Sequence, residues 1–255
     1  MKTETPEDSF YIGWQTRPAA GNRRLMVGVV GGWISLGAIL SVAFAVAQRT
    51  PDVAAYAWTH VRTYEGLLRA SPYPHLLVNR PGSDTWSAYP LVGPAKFGIA
   101  PEWCGSADGD TVRINAGIIY RSGSTVLEVV SERPVPIVDG PAPFATKPVD
   151  SAFEAVTLVG EIVDLKCYTG SMNPGRFKPH RACAALCISG GIPPVLVVET
   201  ADGLILTFLL VGPDGEMINE AVLPHLARAV RINGRVRVEN GLWILSANPA
   251  NIVSL

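Results

Sequence analysis

Charge is scarce in this chain of 255 residues. Lys, Arg, Asp and Glu make up 17% of it, and 21 basic against 22 acidic residues leave a formal net charge of −1. Affinity for nucleic acid comes largely from basic side chains that displace counterions from phosphate, so the expected partners do not include nucleic acid. Histidine and cysteine are also few, at four each, and aromatic residues are 8%. No Ser/His/Asp set, Walker loop or dinucleotide fingerprint occurs, which points to a non-catalytic protein rather than an enzyme. There is no Cys-x-x-Cys-His, which excludes covalent c-type haem attachment. Glu102, Asp108 and Asp110 surround Gly109 but lack the ligand order of a calcium loop. His60, His75 and His225 stand alone in the sequence and read as ordinary surface or core histidines.

One long stretch has no charge at all. Leu25 to Ala47 is apolar or small throughout, and as a helix it reaches about 34 Å, enough for a bilayer core. Arg23 and Arg24 precede it and Arg49 follows, with Asp52 close behind. The basic bias predicts a single-pass anchor in the cytoplasmic membrane, with residues 1–24 as a cytoplasmic tail and the bulk of the chain outside, in the periplasm. Ala45-Val46-Ala47 also resembles a signal-peptidase site, but the preceding segment is long and carries Glu4, Glu7 and Asp8, which favours a retained helix. Gly28 and Gly32 form a small-xxx-small pair, a candidate face for close contact with a partner helix.

Beyond the anchor, the chain repeats itself. Leu91-Val92-Gly93-Pro94 recurs as Leu210-Val211-Gly212-Pro213, and Val112-Arg113-Ile114-Asn115 recurs as Val230-Arg231-Ile232-Asn233, in the same order and at nearly the same spacing. The copies fall at 52–131 and 154–255. Between them, residues 132–153 are rich in proline (Pro134, Pro136, Pro141, Pro143, Pro148) and read as a semi-rigid linker. Val53 to His60 reads as a short helix or stalk. Strand signals then begin near Arg62, and in the second copy the expected order is strand, insert, strand, strand, a helix over 223–229, and two strands joined at Asn240-Gly241, a type I′ hairpin signal. Asp202-Gly203 marks the turn between the second and third strands in the same way.

That order is the order of a five-stranded Greek-key barrel. The second copy resembles bacterial exported OB-fold proteins in its opening Val159-Gly160-Glu161-Ile162-Val163-Asp164 and its closing Val230-Arg231-Ile232-Asn233-Gly234-Arg235-Val236. The resemblance covers 154–254 directly and 62–131 through the internal repeat, and it implies a fold rather than an activity. Membrane-anchored OB-folds outside the cytoplasm include the haem chaperones of cytochrome c maturation. Their His-x-x-x-Tyr spacing occurs once, at His60 to Tyr64 ahead of the first copy, and on a spacing this common their activity is not carried over. The expected fold is therefore mainly β: one N-terminal transmembrane helix followed by two tandem OB-like five-stranded barrels, with an SH3-like or other small barrel as the alternative.

The copies differ by an insert of about 26 residues after the first strand of the second barrel, within 166–191, and it holds Cys167, His180, Cys183 and Cys187. Arg181 to Ser189 has helix-forming composition and ends at Gly190-Gly191. On a helix, His180, Cys183 and Cys187 share one face, and Cys167 can approach from the side. Three chemistries stay open for this set. A disulfide from Cys167 to Cys183 or Cys187 suits an oxidising compartment. One histidine and three thiolates suit zinc or copper(I). A redox-active thiol fits the basic neighbourhood of Lys166, Arg176, Lys178 and Arg181. Met172 is a further soft ligand only for copper(I), and Cys104 reads as a buried thiol or a cross-link between the copies. No cofactor is assigned outright. The sequence reads as a non-catalytic accessory or assembly subunit of a larger membrane complex, with integral membrane subunits as partners and electron transfer as the setting. The alternatives are a metal- or haem-handling protein and a thiol–disulfide redox protein.

Overall fold

A computed structural model describes residues 20–48, 54–79, 86–121, 123–137 and 154–255. The tail before residue 20, Arg49, Asp52 and linker prolines Pro141, Pro143 and Pro148 lie outside the described residues. The chain divides into two compact units, Met1–Pro51 and Asp52–Leu255.

The first unit holds one helix, α1 (Ala20–Ala47). Its stretch Asn22–Ala47 has mean hydropathy 2.1 and is long and apolar enough to cross a membrane. Its large apolar side chains, from Leu25 to Val46, are exposed. At Gly28 and Gly32 nothing lies within 4 Å of where a Cβ would stand, so both glycines leave the helix surface open.

The second unit contains both barrels. The first is built from β1 (Ala54–Tyr56), β2 (Arg62–Arg69), β3 (His75–Asn79), β4 (Trp86–Val92), a short helix α2 (Pro101–Cys104), β5 (Thr111–Arg121), β6 (Ser124–Val129) and β7 (Val135–Pro136). The second is built from β8 (Glu154–Asp164), the insert with α3 (Arg181–Ser189), β9 (Pro194–Glu199), β10 (Ile205–Val211), α4 (Asn219–Val222), β11 (Ala229–Glu239), β12 (Leu242–Ser246) and β13 (Val253–Ser254). In the first barrel β2, β3, β4, β6 and β5 pair in a closed ring, and in the second β8, β9, β10, β12 and β11 do the same. Each ring is antiparallel except for one parallel pair that closes it, β4 with β6 and β10 with β12.

The repeated tetrapeptides occupy equivalent places in these rings. Leu91 and Val92 form the parallel closure with Leu127 and Glu128, as Leu210 and Val211 do with Leu245 and Ser246. Val112 sits opposite Gly66 and Val230 opposite Gly160. The same polar pair recurs beside them: Thr63 Oγ1 donates to Asn115 Oδ1 at 2.9 Å, and Thr157 Oγ1 to Asn233 Oδ1 at 2.8 Å. A Cβ on Gly66 would stand 2.3 Å from the Leu77 carbonyl oxygen, and one on Gly160 2.4 Å from that of Val197. The first strand of each copy bends over its neighbour at this glycine, where only hydrogen fits.

Three expectations are corrected. Ala54–Tyr56 is a strand, not a helix or stalk, because it pairs with Ile119 to Arg121 at the open edge of β5. The helix expected over 223–229 is α4 followed by a single 3-10 turn at Leu223–His225, since Ala229 already belongs to β11. The Asp202-Gly203 turn is not of the two-residue kind. Gly203 alone has positive φ, and Thr200 receives the chain back at Leu204 (N to O, 2.9 Å). At Asn240-Gly241 both residues have positive φ, 48° and 81°, as a type I′ turn requires. The start of the proline-rich stretch is also ordered: Val135 and Pro136 add an edge strand beside Arg113 and Val112.

Each barrel encloses its own apolar cluster, around Leu68, Leu76, Val112 and Ile114 in the first and Ile162, Leu196, Phe208 and Ile232 in the second. A further cluster lies between the barrels. Tyr73, Val92, Ile119 and Val126 of the first pack with Val163, Tyr168, Val195, Leu209, Val211 and Ile244 of the second. Backbone bonds cross the same boundary, from Ala88 N to Asn240 O (3.0 Å) and from Gly98 N to Gly190 O (2.9 Å). The first barrel therefore covers the face of β9 and β10 and the β11–β12 hairpin, the surface on which OB-type barrels commonly take ligands.

The crowding at the bend yields a first prediction. Gly160→Ala and Gly66→Ala should each destabilise the barrels by about 1–3 kcal/mol, the range for overpacking a filled site. Denaturant unfolding of the two variants against wild type measures this, whereas Gly203→Ala, with open space around it, reports only the cost of its positive φ.

Candidate functional site

The insert leaves β8 at Asp164, whose side chain is fully buried. Cys167–Ser171 forms a π-helical turn, and its Gly170 packs so closely against the Ala55 carbonyl and Ile119 that a Cβ would meet either at 2.8 Å. The chain returns through Gly175, where φ is 67° and a Cβ would stand 2.7 Å from the Cys167 carbonyl oxygen. Lys178–His180 then makes one 3-10 turn that leads into α3, and Gly190 and Gly191 end it as the sequence predicts.

Asp164 ties these pieces together. Its Oδ1 accepts from the Cys167 backbone N–H at 2.8 Å, and its Oδ2 lies 2.7 Å from His180 Nε2. A carboxylate in that position accepts the Nε2 proton, which leaves Nδ1 as the bare lone-pair nitrogen. His180 is buried, and its Nδ1 has no hydrogen-bond partner among the described residues.

The structure gathers the four predicted ligands into two overlapping sets that share Cys167, one with His180 and Cys183 and one with Cys187 and the Asp164 carboxylate. Cys167 Sγ lies 3.9 Å from Cys183 Sγ and 3.8 Å from Cys187 Sγ. A ring nitrogen of His180 and the sulfurs of Cys167 and Cys183 lie within 4.8 Å of one another. Cys167 and Cys187 are buried, while Cys183 is half-buried. The expected disulfide is corrected: all four cysteines are free, and these separations are far beyond the S–S bond of about 2.05 Å. Cys104 is likewise free and not a cross-link, because it is enclosed in the first barrel's own core.

The separations match a different geometry. Two zinc–sulfur bonds of about 2.3 Å at the tetrahedral angle hold their sulfurs about 3.8 Å apart. The carboxylate behind the imidazole is the usual outer support of a metal-bound histidine, fixing its tautomer and its orientation.

The basic neighbourhood is arranged otherwise than the sequence suggests. Lys166 is buried and turns into the first barrel, where Nζ donates to the carbonyls of Gly93 and Ala95, both at 2.8 Å, and pairs with Glu128 at 2.5 Å. Arg176 pairs with Glu161 at 3.5 Å and stacks on Phe177. Lys178 and Arg181 are exposed. The cation on the sulfurs is instead Lys96, from the loop after β4. Its Nζ lies 2.8 Å from Cys183 Sγ and 4.0 Å from Cys187 Sγ. Nothing in the sequence singles out this lysine, which stands 87 residues from Cys183.

The thiols are electrostatically unequal. A hydrogen bond between Cys167 and Cys187 holds the Cys167 thiol well above its usual range, and burial and the Asp164 charge add to the effect. The same bond lowers Cys187, its acceptor, and the Lys96 ammonium helps. The bond to Cys183 raises Lys96, keeping it charged. Burial pushes Cys104 up to about 11. Elsewhere, a cleft of about 430 Å³ opens between the barrels beside Leu165, Leu209, Leu242 and Trp243. Its walls carry no cysteine, histidine or charged residue among the described residues.

Two predictions follow from this geometry. Asp164→Ala leaves two buried donors without an acceptor and should destabilise the protein by at least about 2 kcal/mol. Combined with His180→Ala it should cost less than the sum of the single changes, which a double-mutant cycle of unfolding free energies reads directly. After treatment with a chelator, Cys183 should alkylate with iodoacetamide at pH 8 while Cys104 stays unmodified until denaturant is added, as counted by mass spectrometry. No protein-family model matches this sequence, and no curated protein matches it.

Proposed function

We propose that this protein is a membrane-anchored metal-centre protein. Its insert holds one zinc or copper(I) ion through Cys167, Cys183, Cys187 and the Nδ1 of His180, on the outer side of the cytoplasmic membrane. The observation that carries the reading is the placing of Cys167 Sγ at tetrahedral-edge separations from both Cys183 Sγ and Cys187 Sγ, in a cluster that includes a buried imidazole whose Nδ1 has no partner among the described residues. Metal coordination gives that nitrogen its bond and holds the thiolates unpaired in an oxidising compartment, where free cysteines otherwise cross-link. The four ligands leave no open position for substrate, which favours a structural or carrier centre over a catalytic one. Arg23 and Arg24 before the apolar helix support the outward placement of the barrels. On this reading the chain serves as an accessory or assembly subunit, and its partners are integral membrane subunits of an electron-transfer complex.

A second reading has its own support. Lys96 beside Cys183 and the lowered pKa of Cys187 are features of a thiol kept ready for exchange. One experiment separates the two. Full-length protein purified in mild detergent is analysed for metal content and for intact mass with and without reduction. The metal reading expects one equivalent of zinc or copper, free thiols once the ion is stripped, and loss of the ion in Cys183→Ser. Metal-free protein whose insert thiols oxidise and reduce reversibly would replace it with the thiol-exchange reading.

A further inference from the structure

Lys96 reaches the thiols because two features lock its loop in place. The first is backbone-to-backbone docking on the end of α3. Gly98 N donates to Gly190 O at 2.9 Å. A Cβ on Gly98 would stand 2.0 Å from the Gly191 carbonyl oxygen, and one on Gly190 2.1 Å from that of Lys96. Only glycine at these positions lets the loop come so close. The second feature is Lys166, which enters from the opposite side and binds the carbonyls of Gly93 and Ala95. Ala95 has φ of 53°, a left-handed conformation unfavourable for a residue with a Cβ, and the buried ammonium on its carbonyl helps to hold it there. The barrels thus exchange lysines: Lys166 of the second fixes the loop of the first, and Lys96 of the first covers the thiols of the second.

We propose that Lys96 is the outer residue by which the first barrel controls how tightly the metal centre of the second holds its ion. The inference rests on the metal reading above. Three thiolates and a neutral imidazole remain net negative around either a divalent or a monovalent ion. An ammonium 2.8 Å from one ligand sulfur and 4.0 Å from a second offsets that negative charge and so stabilises the loaded centre. Its position adds a kinetic effect. Of the three converging sulfurs Cys183 alone is partly exposed, so a competing ligand reaches the centre at the atom that Lys96 covers. The other charges nearby have partners of their own: Asp164, whose carboxylate also lies within 4.8 Å of the Cys167 and Cys187 sulfurs, is bonded to His180 and to the Cys167 backbone, and Lys166 is paired with Glu128. Lys96 is a positioning residue here and is not itself a ligand.

The test uses full-length protein in mild detergent loaded with zinc ion, the probe for the centre. Transfer of the ion to a chromophoric chelator gives both affinity and release rate. Lys96→Met, which keeps the length and removes the charge, should weaken retention by about 10–100-fold, the usual effect of losing an outer-shell partner. Lys96→Arg should stay within a few-fold of wild type, and Lys96→Glu should lose more than Lys96→Met. This ordering by charge distinguishes an electrostatic role from a loss of barrel docking, which would weaken all three variants alike. Wild type that takes up zinc while Lys96→Met holds it equally well overturns this inference and leaves the metal reading standing. Wild type that takes up neither zinc nor copper overturns both.

Discussion

The insert depends on one buried carboxylate. Asp164 ends β8 inside the protein, where an unpaired charge is costly, and it is accommodated by two donors from different parts of the insert. One is the backbone of the π-helical turn that carries Cys167. The other is the imidazole at the start of α3, the helix that carries Cys183 and Cys187. By joining these, Asp164 sets the distance between the turn and the helix and therefore between the sulfurs. It also decides which imidazole nitrogen is left without a partner among the described residues. The thiol cluster is thus a consequence of strand geometry as much as of cysteine spacing.

A second constraint acts at the boundary between the barrels. The two rings are equivalent, matched down to the Thr–Asn pair beside the first-strand glycine. The copies are not independent, however. The loop that follows Leu-Val-Gly-Pro in the first copy reaches the insert of the second through Lys96 and Gly98, whereas the stretch after Pro213 meets the insert within its own copy, where Asn219 Nδ2 donates to the carbonyls of Ile188 and Ile192. A pair of equal folds thereby acquired unequal roles, one carrying the thiols and the other shaping their surroundings.

Much of this is legible in the residues. The apolar run, the repeat, the two rings and the helical face of His180, Cys183 and Cys187 all follow from local pattern or from comparing one copy with the other. Asp164 stands out only as a nearby acid, because its two bonds depend on how the insert folds back. Lys96 leaves no signal, since an ordinary lysine in an ordinary loop gains its meaning from a contact across the barrels. Lys166 misleads for the converse reason: it adjoins Cys167 in sequence, but its side chain leaves toward the Gly93–Ala95 carbonyls. The disulfide expectation came from compartment chemistry, whereas the geometry of the turn and helix holds the sulfurs apart. Ala54–Tyr56 is too short to show a strand period, and only the open edge of β5 makes it one.

The apolar cluster between the barrels also bears on how the chain is made. Synthesis runs from the N-terminus, so the first ring can close once β6 has emerged. Its outer face, with Tyr73, Val92, Ile119 and Val126, then has no cover until β9, β10 and β12 follow, the last ending at Ser246. For that interval the nascent protein carries an oily surface that its own second half is built to hide. The boundary between the barrels is therefore also a schedule, and a chain halted or cut between the copies would be left with its stickiest face outward.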